Sequence, residues 1–159
     1  MARIDLSTAG VTLQYAVETT AGQRPTTGYE KLPGLTGIPD LNPEPGSLET
    51  TTLDEKEWRT YIPGLKDPGG ALAFSANNTE DFQTEWAAMY DASVAANADG
   101  KSMWFSVVVP GLTKAFYFAG RPSPLGLSAI EVDSVLTVDG YITPTKIDGW
   151  QSKHTGAEE

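Results

Sequence analysis

Three acids within four positions, Asp54, Glu55 and Glu57, form the densest group of side chains in this sequence that could do chemistry. Two carboxylates at a fixed separation can act as general acid and base, or as acid and nucleophile. Such a pair needs a pocket that desolvates one member. Lys56 and Arg59 are interspersed with these acids in a polar stretch, so a solvated or interface-paired charge run is the simpler reading. A relaxed phosphate-loop pattern, Ala95-x-x-x-x-Gly100-Lys101-Ser102, fails on context. That loop must follow a strand and open a helix, so that helix N-terminal amides reach phosphate; here the order is reversed. A single histidine, His154, and the absence of cysteine leave no thiolate chemistry and little for a zinc site or a Ser-His-Asp triad. Asn77-Asn78-Thr79 fits the glycosylation triplet, but no secretory signal precedes it, and Asn78 serves equally well as a helix cap. Among the tryptophans, Trp86 and Trp104 read as core, and Trp58 as exposed. No catalytic residue, cofactor or metal site is expected.

The elements that must position these residues are mostly strands. At 159 residues the chain is long enough for one domain with a real core. Residues 1–150 read as that domain and residues 151–159 as a frayed polar tail. Sixteen glycines and eleven prolines indicate many turns and a β-rich fold. A net charge of −10 disfavours a protein that grips nucleic acid through its phosphates. The start, M-A-R-I-D-L-S, lacks an apolar signal core, and no run approaches transmembrane length. A soluble protein made in a cytoplasm, with no membrane partner, is expected.

Residues 10–17 (G-V-T-L-Q-Y-A-V) alternate, with Val11, Leu13, Tyr15 and Val17 on one face and Thr12, Gln14 and Ala16 on the other. This predicts a half-buried strand. Residues 29–41 are strand-like but broken by Pro33-Gly34 and Pro39, so they bend or lie at a sheet edge. After a stiff turn at Asn42-Pro43-Glu44-Pro45-Gly46, residues 47–53 resume as a Thr-rich strand. Residues 79–96 predict the helix, capped by Asn78, with an apolar stripe of Phe82, Trp86, Met89, Tyr90 and Val94. Residues 101–109 and 114–119 form a hairpin through Pro110-Gly111. Residues 128–139 alternate again, with Ile130, Val132, Leu136 and Val138 opposite Glu131, Asp133, Thr137 and Asp139. Residues 140–143 prolong that strand or form a short last one, and Trp150 is a final possible anchor. The count is seven or eight strands and one helix.

Between the strands at 47–53 and 71–76 lies more chain than a tight hairpin requires. The segment at about 53–67 carries Trp58, Arg59, Tyr61 and Ile62, with breaks at Pro63-Gly64 and, just beyond, Pro68-Gly69-Gly70. Trp, Tyr and Arg are the types most enriched at binding hot spots, so this stretch reads as a partner-grasping arm. The string T-T-L-D-E-K-E-W-R-T-Y-I-P-G-L-K-D-P-G-G-A-L-A-F-S-A-N-N, followed by a Trp-bearing helix, resembles the major tail tube proteins of long, non-contractile-tailed bacteriophages. The early G-V-T-L-Q-Y-A strand and the segment G-I-P-D-L-N-P-E-P-G-S-L-E are similar to that family too. The resemblance covers residues 10–140.

The resemblance implies a mainly β fold of two packed antiparallel sheets, sandwich- or barrel-like, flanked by one helix. It implies subunits that form hexameric rings, stacked head to tail into a hollow virion tail tube that conducts DNA without holding it. Partners would be further copies of the chain and other tail proteins such as tape-measure, tail-tip and terminator proteins. Assembly would take place in the host cytoplasm. On this mapping the arm makes the ring interface through Leu53, Glu57, Trp58, Arg59, Tyr61 and Ile62. Glu131, Asp133 and Asp139 are candidates for an acidic lumen lining, past which DNA would slide; the alternative is an ordinary solvent-facing strand face. Two other classes remain open on the residues alone. One is a monomeric carbohydrate-binding module that stacks sugars on Trp58 and Tyr61. The other is a small acid-base hydrolase, for which no paired acids can be located.

Overall fold

A computed structural model of the chain describes residue 7 and residues 9–42, 45–66 and 70–156. The strands are β1 (Thr12–Val17), β2 (Glu30–Lys31), β3 (Leu35–Gly37), β4 (Pro45–Glu49), β5 (Tyr61–Lys66), β6 (Leu72–Asn77), β7 (Met103–Val108), β8 (Lys114–Pro122) and β9 (Thr137–Ser152). One helix, α1 (Glu80–Ala98), lies between β6 and β7. Seven strands form an antiparallel sheet in the order β2-β1-β7-β8-β9-β6-β3, and β4 pairs with β5 in a sheet of their own. The mainly β architecture of two antiparallel sheets with one flanking helix is as expected.

The large sheet must curl. Its two edges, β2 and β3, are joined by three residues, 32–34. Four Cα–Cα steps span at most about 14 Å, so the edges lie within that distance of each other. A hydrogen bond extends the ladder on each side of this turn: Leu32 N–H donates to Leu13 O of β1 at 2.9 Å, and Asn77 N–H of β6 to Gly34 O at 3.0 Å. Gly34 sits at φ +79°, which side chains disfavour, so Pro33-Gly34 is the hinge over which the sheet nearly closes. The segment broken by prolines does supply the edges, as their missing donors require.

The concave face holds the main core of Leu13, Tyr15, Phe74, Met103, Phe105, Phe118, Val138 and Ile142, among others. Phe82, Trp86 and Met89 of α1 belong to the same cluster. The helix cap is Thr79 rather than Asn78, its hydroxyl accepting from Phe82 N–H at 3.2 Å. The buried stripe is Phe82, Trp86, Met89, Ser93 and Ala96, while Val94 is exposed and Tyr90 half-buried. At about 100° per residue Ser93 falls nearly beneath Phe82, whereas Val94 is rotated well off it.

A second, smaller core of Trp104, Val108, Ala115, Tyr117 and Ala119 lies on the other face of β7 and β8. It is covered from the loop before β2 and from the C-terminus. Arg24 lies 4.0 Å over the Tyr117 ring, and His154 stacks on Tyr29 at 3.9 Å. β1 is therefore buried on both faces, with Gln14 only 1% exposed, instead of half-buried. The C-terminal stretch is not frayed over 151–156: β9 runs to Ser152, His154 is buried, and Thr155 N–H donates to Thr26 O at 3.1 Å. Residues 157–159 lie outside the described residues.

Two further expectations change. β4 stops at Glu49, and β5 runs straight through Pro63-Gly64, where a break was expected. A proline survives there because β5 pairs only with β4 and its other edge is free. Residues 128–136 are not a strand; β9 begins at Thr137, and Val132 is 95% exposed. Nine strands are present among the described residues.

Candidate assembly surface

The β4–β5 hairpin places the arm residues. Glu49 pairs with Tyr61, Leu48 with Ile62 and Ser47 with Pro63, with a bulge between Pro45 and Ser47. At the bulge the strands nearly touch: a Cβ on Gly46 would lie 2.9 Å from Leu65 O. Beyond Glu49 the tip is tied by Thr50 N–H to Thr60 O at 2.8 Å, and by Thr60 N–H to Thr51 Oγ1 at 2.8 Å. Glu55 turns back to accept from the Lys56 and Glu57 N–H groups, and Arg59 reaches Glu49 at 3.8 Å. These long, exposed contacts shape the loop more than they stabilise it.

Among the described residues, no core packs beneath this hairpin. The described side chains of both strands and the tip are exposed or, at Thr51, half-exposed, and β4 and β5 make their extensive contacts only with each other. Leu48, Leu53, Trp58 (76% exposed), Tyr61, Ile62 and Leu65 all face solvent. An isolated two-stranded hairpin is marginal in water, and exposed apolar clusters of this kind make it a candidate interaction site. The sequence placed Trp58, Tyr61 and Ile62 there but missed Leu48 and Leu65. Residues 67–69, with the expected break at Pro68-Gly69, lie outside the described residues, as do Pro43 and Glu44.

The candidate acids are not gathered on one strand face. Glu131 and Asp133 are exposed in the loop before β9, with Asp133 at φ +62°. Asp139 is half-buried in β9, where its carboxylate accepts from Ser75 Oγ at 3.1 Å. Asp133-Ser134 was the signal missed: a short polar side chain tolerates the left-handed turn that interrupts the alternation.

Chemical sites are sparse. Open clefts are present among the described residues. One, of about 370 Å³, lies between α1 and residues 124–126; another, of about 520 Å³, is lined by Ile38, Leu41, Val107, Phe116 and Trp150. Among the described residues, no three His, Asp or Glu side chains could hold a metal ion. No described helix is long and apolar enough to cross a membrane. The perturbed groups are structural. The Tyr15 hydroxyl lies 3.0 Å from both Glu30 and Glu85, joining β1 to β2 and α1; burial, then these two carboxylates, push its pKa far up. Burial raises Tyr29 in the same way, and burial lowers the His154 imidazole, assisted by Arg24.

No protein-family model and no curated protein matches the chain. A solved structure does. The chain is similar to one in the cryo-EM structure of the anti-feeding prophage (AFP) baseplate, six-fold symmetrised, with a TM-score of 0.57. The match covers 92% of this chain and 95% of that one at 8% identity, so the likeness is one of fold.

Proposed function

We infer that this protein is a non-enzymatic structural subunit of a phage-type tail, assembling into stacked hexameric rings that form the hollow tube through which DNA passes. The observation that carries this reading is the β4–β5 hairpin, a two-stranded element with six exposed apolar side chains and, among the described residues, no core beneath it. The edges of the main sheet are only two and three residues long, which guards against uncontrolled pairing. The hairpin leaves longer edges free, of five and six residues. A patch on one side of a subunit that meets a different patch on the next gives rings where the rotation closes and filaments where it does not. Fold likeness to a chain of a prophage baseplate described as six-fold symmetrised supports the same reading.

In this assembly Leu53, Trp58, Tyr61 and Ile62 anchor the contact, and Glu57 and Arg59 set its register. The exposed Glu131 and Asp133 face the channel, where a subunit charge of −10 lets DNA pass without releasing its counterions, while Asp139 stays tied to Ser75. Tape-measure, tail-tip and terminator proteins cap and measure the tube in the virion. Negative-stain electron microscopy of concentrated protein, alone and seeded with tail tips, tests the reading. Rings or tubes of uniform diameter are expected. A chain that stays monomeric under both conditions refutes it.

A further inference from the structure

Residues 128–136 pose a conflict between pattern and conformation. Ser-Ala-Ile-Glu-Val-Asp-Ser-Val-Leu alternates like a strand, yet the backbone from 124 to 136 joins no sheet. Its recorded ties are few. Asn78 N–H donates to Leu136 O at 2.9 Å, Asp139 N–H to Ser128 Oγ at 3.3 Å, and Ser134 Oγ to Glu131 O at 3.1 Å. Leu127, Ile130, Val132, Val135 and Leu136 are all exposed. A sequence in which local preference and observed state disagree is expected where a second state is used.

Resting on the assembly reading above, we propose that residues 128–136 are the acceptor for the β4–β5 hairpin of a second copy of this chain, and become a strand when it docks. Three observations select this occupant. The nine-residue segment is long enough to run the full length of either hairpin edge, of five and six residues, whereas the main-sheet edges of two and three residues would hold little of it. Among the described residues, neither the outer edges of β4 and β5 nor residues 128–136 pair with a further strand, so pairing satisfies backbone groups that otherwise rely on water. The areas also suit. The six exposed apolar side chains of the hairpin, with Ile130, Val132 and Leu136, offer roughly 700 Å² at about 80 Å² each. Apolar area is about 60% of an interface, so this implies about 1,200 Å² in all, the lower end of the range for a stable specific contact.

Strand formation resolves the alternation. Ile130, Val132 and Leu136 then share one face and enter the contact, while Glu131 and Asp133 point to the other. Each copy offers one hairpin and one acceptor, so the contact repeats head to tail. The turn at Asp133 opens in the process, with its φ of +62° replaced by an extended value.

The chain has no cysteine, so introduced ones report cleanly. Val132→Cys protein is mixed with Leu48→Cys or Ile62→Cys protein, assembled and oxidised, and backbone hydrogen exchange is followed in parallel on unsubstituted particles. Disulfide-linked dimers within particles, and exchange over 128–136 slowed at least tenfold relative to the monomer, are the expected results. Particles in which 128–136 exchanges as fast as in the monomer overturn strand formation and leave the assembly reading standing. Protection without a cross-link from either hairpin position overturns the hairpin as the partner. Failure to form particles at all removes both.

Discussion

Replacing Trp58 by alanine separates the energetics of the folded subunit from those of its assembly. The indole is 76% exposed and makes no ring contact within the chain among the described residues. Its removal therefore leaves the monomer's stability within about 0.5 kcal/mol, or a melting shift under about 2 °C for a chain of this size. At an interface the balance differs. An aromatic side chain presents about 200 Å², so burying the exposed part of Trp58 removes about 150 Å² from water. At about 25 cal/mol per Å² that is worth up to about 4 kcal/mol, and about 2 kcal/mol if half of it is covered. A tenfold change accompanies each 1.4 kcal/mol, so the critical concentration for assembly should rise by about 30-fold to several hundred-fold. Pelleting across a concentration series, with thermal melts of the monomer alongside, measures both quantities. A critical concentration within about twofold of the parent would refute the anchoring role of the hairpin.

Other expected outcomes follow from particular contacts. In Gly140→Ala the new methyl would lie 2.5 Å from the Trp86 ring, whose Nε1 donates to Ser123 O at 2.8 Å. A loss of about 1–3 kcal/mol and a melting drop of several degrees are expected, recovered in part by pairing the change with Trp86→Phe; an unaltered melt would contradict this packing. His154 is buried beside Tyr29, Tyr117 and Arg24, and its lowered pKa means the unfolded chain takes up the proton first. Its contribution is thus intact above its ordinary value of 6.5 and is lost as pH falls below it, at up to about 1.4 kcal/mol per pH unit. Subtracting the stability profile of His154→Phe isolates that slope, and parallel profiles would count against it. Reversing Glu131 and Asp133 to lysine raises the subunit charge by four from −10 and should give tubes that retain DNA in a salt-dependent way. Reversed tubes that release DNA at every salt concentration would remove these acids from the lumen.

Much of this architecture is written in the chain. Pro33-Gly34 and Pro39 mark where a sheet must end, because proline cannot donate to a ladder, and β2 and β3 are indeed the edges. Pro110-Gly111 marks the β7–β8 turn, and the four-and-three spacing of Phe82, Trp86 and Met89 marks α1. Trp58, embedded in charged residues, could be read as exposed, and Trp86 and Trp104 as buried. The exposed hairpin was legible as an arm, though its strand β5 was hidden by Pro63.

What remained hidden concerns partners that lie far away along the chain. Period-two alternation states that a strand would have two unlike faces; it does not state whether a neighbour exists to pair with it. Ile130 and Val132 carry that pattern and stand in solvent, because no strand among the described residues pairs with their backbone. Gln14 reads as an outward face and is buried, because β7 on one side and the layer that includes Arg24, Tyr29 and His154 turn that surface into a second core. Local residue chemistry determined where strands, helix and turns could form and which residues could reach a partner. Closure of the sheet over Pro33-Gly34, burial of the second face and isolation of the hairpin were decided by tertiary packing, since each depends on surfaces brought together from distant positions.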